Sequence, residues 1–219
     1  MTMVGKSKLV AAIFSVVVSS GIAGPAIGKD LEFKGFVFGR TTFSEWQAAM
    51  HKTATDFLGS TVTIAPYCEE QGKYVDQAEV AVGVKRCSSF TPSAGDTNVG
   101  VAGTMLQVGD AVANTDEWVF VDGVLAQYNA TLYHAQLGNL LPPLRAKYGN
   151  PTEHSDQVQN AFGAKYVNTV YEWQLDGMNI VVRGYQGRLD QSGITIFNPL
   201  LQNKLETKEK QKPVSKSGL

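Results

Sequence analysis

The sequence predicts an α+β fold of two tandem β-α-β-β-β units, with antiparallel sheets, one helix packed on each, and one disulfide. Three observations carry that prediction. Each half of the chain reads as a strand, a helix and then about three strands, an echo of roughly 85 residues in element order. Asp122-Gly123 and Asp176-Gly177 each divide two β-rich runs, the strongest short-range signal for a two-residue hairpin. Two helical stretches carry apolar residues on one face, and a sheet with one covered face is a stable two-layer solution. A single continuous sheet carrying both helices is the alternative arrangement.

The elements follow in order. Leu31 to Phe38 alternates apolar and polar before breaking pattern and predicts a strand, turned by Gly39-Arg40. Thr42-Phe-Ser-Glu45 fits a capping box, so a helix follows to about His51 and buries Phe43, Trp46, Ala49 and Met50. Ser60–Ala65 is rich in β-branched residues and predicts a strand. Val75–Cys87 holds a second strand and Val99–Gln107 a third, separated by a Ser/Pro/Gly/Asp-rich loop from Ser88 to Asn98.

In the second half, Glu117–Val121 and Val124–Leu132 form the first hairpin. A helix spans His134–Tyr148, with Leu137, Leu140, Leu141, Leu144 and Tyr148 on one face and a kink or restart at Pro142-Pro143. Gly149 stops it and Pro151 forbids continuation. Thr169–Leu175 and Met178–Val182 form the second hairpin, and Ile194–Phe197 is the last strand. Asn198-Pro199 starts a short helix to about Leu205, and the polar remainder predicts disorder.

The organisation at the start of the chain is an address. Lys6 and Lys8 precede the apolar run Leu9–Gly24, and Ala26-Ile27-Gly28 offers small residues where a signal peptidase reads. This pattern predicts a cleaved secretory signal peptide over 1–28, with Lys29 as the new N-terminus and a periplasmic or secreted mature protein. The run is short for a spanning helix and ends at Pro25, which argues against an uncleaved anchor. No later segment predicts an integral membrane span. Residues 29–112 then form the first unit, 113–203 the second, and 204–219 a Lys-rich tail.

Composition narrows the function. The 219 residues are 43% hydrophobic and 18% charged, with a formal net charge of −1. Without Lys6 and Lys8 the mature chain carries −3; the tail from Lys204, with five Lys and two Glu, is +3, so the body is −6. An acidic body is not built to neutralise nucleic-acid phosphates. Cys68 and Cys87 are the two cysteines, and an even pair in an exported chain reads as one disulfide.

Five motifs carry a family resemblance: Phe33-Lys-Gly-Phe-Val-Phe-Gly39, Val101-Ala-Gly103, Phe120-x-Asp-Gly-x-Leu125, Lys147-Tyr-Gly-Asn-Pro151 and Gln159-Asn-Ala-Phe-Gly163. Together they resemble small exported proteobacterial proteins without an assigned activity. Their element order is similar to that of β-lactamase inhibitory proteins, tandem-repeat binders. The helix–Tyr-Gly-x-Pro–strand–Trp segment is similar to the BamE-type accessory lipoproteins, although the first cysteine here is Cys68, far from any lipidation position. The resemblance implies a binding scaffold and supplies no interface or active-site residue.

Chemistry-bearing patterns are sparse. The sequence contains no nucleophile elbow, Walker loop, zincin motif or dinucleotide fingerprint, and predicts no cofactor and no metal site. His154-Ser155-Asp156 are neighbours in sequence and read as loop polars after Pro151. Glu69-Glu70 and Asp116-Glu117 are the carboxylate pairs a hydrolase would use if a cleft set them about 5–9 Å apart, and otherwise read as solvated loop acids. Trp118, Tyr128, Trp173 and Tyr185, with Arg183 and Arg188 bordering Gly184–Gly187, are the candidate binding residues, since Trp, Tyr and Arg dominate interface hot spots. Core or sheet support is the alternative role for these aromatics. The expectation is a non-catalytic binding module whose partner is an envelope or secreted protein, with a glycan or small ligand as the second reading and a hydrolase as the third.

Overall fold

The computed structural model describes residues 31–55, 61–64, 66–68, 77–89, 107–160 and 162–212. The predicted leader, Glu69, Glu70, most of the predicted loop after Ser88 and most of the predicted strand before Gln107 lie outside the described residues.

The chain is α+β, with antiparallel pairing throughout the described ladders and a Cys68–Cys87 disulfide. It opens with β1 (Glu32–Phe33) and β2 (Phe36–Val37), a small ribbon where a single strand was predicted. Lys34 and Gly35 both have positive φ, at 53° and 82°, and so fold the run back on itself. Phe33, Phe36 and Phe38 are buried.

Helix α1 (Phe43–Met50) starts at the predicted capping box: Thr42 Oγ1 accepts from Glu45 N, and the Glu45 carboxylate accepts from Thr42 N. It buries Trp46 and Met50, while Ala49 is exposed. Its first turn is pinned by Phe43 N donating to Gly123 O at 2.8 Å and Leu125 N donating to Thr41 O at 2.9 Å. Strands β3 (Lys52–Thr55) and β4 (Thr61–Ile64) then pair as a separate ribbon.

β5 (Tyr67–Cys68), α2 (Gln77–Ala81) and β6 (Val84–Ser88) follow. The predicted strand over 75–87 is thus half helix: Gln77-Ala-Glu-Val-Ala favours a helical turn, and Gly83 at φ 76° reverses the chain into β6. The disulfide joins Cys68 and Cys87, directly opposed on β5 and β6.

The long centre is β7 (Gln107–Val108), β8 (Ala111–Val121) and β9 (Val124–Tyr133). Asp122 and Gly123 have φ of 49° and 79°, as the predicted tight turn requires. After a 3-10 turn at His134–Gln136, α3 (Leu137–Tyr148) buries Leu140 and Leu144 and holds both prolines without breaking. Gly149, at φ 84°, ends it.

Four strands and a helix complete the chain: β10 (Thr152–Gln159), β11 (Lys165–Leu175), β12 (Met178–Arg183), β13 (Gln191–Phe197) and α4 (Pro199–Lys210). β10 was predicted as loop. It lacks an apolar alternation because nearly all of it is exposed on both faces. The tail, predicted disordered from Lys204, is helical to Lys210. Tertiary ion pairs hold it: Lys204 and Lys208 meet Asp122 at 2.6 and 2.8 Å, and Glu209 meets Arg86 at 2.6 Å.

The two halves share one sheet, ordered β10-β11-β12-β13-β9-β8-β6-β5, with β7 on β8. Both α1 and α3 contribute to a single aromatic core on one face of it. There Trp118 meets Trp46, Tyr128 and Phe36 at ring separations of 5.7, 4.5 and 5.3 Å. The two separate sheets with one helix each are therefore replaced by the continuous arrangement, because β8–β9 and β9–β13 pairing joins the halves. α4 packs on the opposite face, where Leu205 covers Val84, Val119, Val121 and Ala126. Asn198 caps α4 at Leu200 N and Leu201 N and donates to Gly177 O. Gly39 is obligatory beneath it, since a Cβ there would lie 2.6 Å from Asn198 Nδ2 and φ is +85°. No helix among the described residues is long and apolar enough to cross a membrane.

Candidate functional site

Burial sorts the predicted binding residues. Trp118 and Tyr128 are fully buried and Trp173 is 2% exposed, so these three support the core and offer no ring to a partner. Strand alternation is the reason: all three point to the face that α1 and α3 cover. Trp118 donates to Ser89 Oγ and Asp116, and Trp173 to Gly149 O at 2.7 Å.

Arg183 and Arg188 are exposed and Tyr185 is partly buried, all three at or just beyond the end of β12. β11 begins before β12 reaches it, so Lys165–Val167 pairs with β10 alone and the β10–β11 hairpin projects as an arm. Asn168 closes the ladder with β12. Its amide accepts from Tyr185 N at 2.7 Å and donates to Tyr185 O at 3.2 Å, replacing a backbone partner. Beyond that point the Tyr185–Asp190 loop and the arm enclose a groove of about 740 Å³, lined by Val158, Asn160, Phe162, Tyr185, Arg188 and Leu189.

The arm's tip is locally braced. Asn160 Oδ1 accepts from Phe162 N and Ala164 N at 3.0 and 2.9 Å, Asn160 N donates to Ala164 O, and Gln159 donates to Gly163 O. These bonds hold Phe162 with 96% of its surface exposed. The loop opposite is braced too. Arg188 grips Asp190 with two bonds of 3.0 and 3.1 Å, and Gln186 lies over Gly193 where a Cβ would be 1.5 Å from its Oε1. His134 stacks on Tyr185 at 4.6 Å, fixed by contacts of its Nδ1 with Gly184 O and Ser192 Oγ. Tyr166 meets Tyr185 edge-on at 6.3 Å.

This end of the sheet concentrates exposed apolar groups. Val112, Tyr133, Phe162, Tyr166 and Val167 all fall at the strand termini that meet here; Val80 and Leu200, also exposed, do not. Phe162 and Asn160 were absent from the predicted site. Their signal was the Asn and Gly that bracket Phe162, a turn signature.

The carboxylate candidates are separated by the sheet. Asp116 and Glu117 are neighbours on β8 and so point to opposite faces. Asp116 is buried and accepts from Ser89 N, Ser89 Oγ and Trp118 Nε1. Burial pushes its carboxyl above the ordinary range, against the pull of Ser89, Lys34 and Trp118. Burial, with Asp116 beside it, likewise raises the Tyr128 phenol. On the other face Glu117 joins Arg86, which also binds Glu79 and Glu209. Burial opposes the Arg86 charge, but the three carboxylates outweigh it and raise its pKa. His154-Ser155-Asp156 form part of β10 rather than a loop, and Ser155 points away from the other two. Among the described residues no group of three or more His, Cys, Asp or Glu is placed to hold a metal ion.

The chain matches no family model, no curated protein and no solved structure.

Proposed function

We propose that the chain is an exported, non-catalytic protein-binding module, an envelope accessory factor or an inhibitor of an extracytoplasmic enzyme, and that it engages its partner at the arm end of the sheet. The observation that carries this reading is Phe162, a nearly fully exposed phenyl held on a turn by Asn160. Apolar surface in water costs about 25 cal/mol per Å² relative to burial. A braced tip that keeps such a ring outside loses little entropy on binding, which is what an interface anchor needs. The separation of Asp116 from Glu117, and of Ser155 from its neighbours, favours binding over hydrolysis at these residues. Export rests on the basic, apolar and small-residue pattern of 1–28 and is consistent with the Cys68–Cys87 disulfide. The glycan reading is less well served, because His134 already occupies one face of Tyr185.

The test is crosslinking and capture in the native envelope with wild type, Phe162→Ala and Tyr185→Ala side by side. A partner that wild type holds and Phe162→Ala loses by roughly 30-fold, the scale of one hot spot, with unchanged thermal unfolding, is the expected outcome. Equal capture by all three proteins removes the arm end as the interface. Calorimetric binding of cell-wall fragments by wild type that Tyr185→Ala loses instead supports the glycan reading.

A further inference from the structure

We propose that β10 is a self-association edge: two copies of this chain pair their β10 strands antiparallel about a two-fold axis through Ser155, continuing the sheet from one copy into the other. The proposal is independent of the function assigned to the arm end.

β10 ends the sheet, with β11 on one side and, among the described residues, no strand on the other. It pairs with β11 over eight consecutive positions, Thr152↔Glu172 to Gln159↔Lys165, without a bulge. It contains no proline, and Thr152–Gln157 are exposed on both faces. Natural edges of this length are usually interrupted or covered, because a regular row of free backbone groups is a template for another strand.

The phase of the ladder says which groups are free. Gly184 N donates to Thr169 O, so odd-numbered residues of β11 face β12 and even-numbered ones face β10. Their partners Thr152, His154, Asp156 and Val158 therefore turn their backbone groups inward. Asn160 N donating to Ala164 O continues the same phase into the turn. The N–H and C=O groups of Glu153, Ser155 and Gln157 are left pointing away from the sheet.

Side-chain charge then chooses the register. With the axis at Ser155, His154 stands opposite the second copy's Asp156, Glu153 opposite its Gln157, and Thr152 opposite its Val158. Each of these pairs occurs twice, and no like charges oppose each other. Shifting the axis to Asp156 sets two carboxylates face to face, and directly opposed like charges are destabilising; shifting it to His154 loses the His154–Asp156 pairing. The neighbours extend the complementarity. Within one copy His154 lies 3.9 Å from Glu172, and Asp156 lies 3.5 Å from Arg183. Across the seam the row reads Glu172, His154, then the second copy's Asp156 and Arg183, alternating in sign when His154 is protonated. On the other face Glu153 is already held by Arg145 at 2.5 Å and meets only an amide. A self-complementary patch of this kind closes as an isologous dimer.

Sedimentation equilibrium of the purified protein across the micromolar range is expected to give twice the monomer mass. Ser155→Pro, which removes an outward N–H and leaves the β11 ladder intact, is expected to give monomer with an unchanged near-ultraviolet spectrum. Among the described residues there is no free cysteine, so engineered thiols report position. Ser155→Cys meets its own copy at a Cα separation of about 5.5 Å, inside the range of roughly 4.4–6.8 Å that a disulfide spans, and should crosslink rapidly. Gln157→Cys meets its own copy only at about 14 Å, four residues along the strand, and should crosslink only when mixed with Glu153→Cys. Asp156→Lys, which sets an ammonium beside Arg183 and opposite the second copy's His154, should weaken the dimer. A monomer at every concentration, or equal crosslinking of Ser155→Cys and Gln157→Cys, overturns the proposal.

Discussion

The hairpin at Asp122-Gly123 and the hairpin around Asn160–Ala164 are built from the same antiparallel ladder and have opposite surroundings. The first is clamped on both faces. α1 docks its N-terminus on Gly123, and α4 brings Lys204 and Lys208 to Asp122, whose carboxyl the two ammonium groups hold below its ordinary range. Beneath it Trp118, Phe120 and Trp46 fill the core. The second hairpin projects beyond β12, exposes both faces of β10, and has its turn braced by its own Asn160 and Gln159. Backbone pairing makes both strand pairs; the cover on the faces decides which is structural and which is free to meet a partner.

The largest test of that contrast is a pair of truncations. Trp118→Ala should cost about 3–5 kcal/mol in chemical denaturation, through lost transfer energy and the cavity left among Trp46, Phe36 and Tyr128. Phe162→Ala should stay within about 0.5 kcal/mol of wild type, as surface substitutions do. Similar costs at the two sites would break the distinction.

A smaller effect sharpens the clamp. Arg86→Ala strands Glu79, which is 6% exposed, with Lys212 as a remaining partner, and should cost about 2 kcal/mol. Replacing both Glu79 and Arg86 by apolar residues should recover much of that loss in the same denaturation assay, because an incompletely compensated buried charge is the main penalty. At the arm, Arg145→Ala, whose partner Glu153 is half exposed, should move stability by less than about 1 kcal/mol.

The smallest expected effect is a pH slope. Burial raises Asp116 above its ordinary pKa in the folded chain. Folding therefore takes up a proton between the unfolded and folded values, and this contribution is present at low pH and lost as pH rises through the folded value. Unfolding free energies measured across the mildly acidic range should show a declining component with rising pH in wild type that Asp116→Asn lacks. An identical profile for the two proteins would place the titration elsewhere.

Local chemistry was legible where a residue type has one conformational use. The capping box at Thr42–Glu45, the Asp122-Gly123 turn, the Gly149 stop and the Cys68–Cys87 pair all read directly from residue identity. Hydrophobic pattern failed where burial is absent. β10 has no apolar alternation because neither face is covered, and so it read as loop. The α4 extension read as a disordered lysine tail because its partners Asp122, Arg86 and Glu79 are distant in sequence. Half of the candidate site, Arg183, Tyr185 and Arg188, was marked by the glycines around them. Trp118, Tyr128 and Trp173 read equally as core support or as binding surface, because an aromatic on a strand has the same composition whichever way it faces; their burial decides for the core.

The sequence by itself determined the class of fold, the two Asp-Gly turns, the starts of α1 and α4 and the disulfide, since each depends on φ preference, capping or covalent chemistry within a short stretch. Tertiary structure alone decided that both halves join one sheet, which face α1 and α3 share, and that β10 stands at an edge. Strand order depends on pairing between segments far apart in the chain. That pairing fixes which side chains are covered, and so which are left to bind.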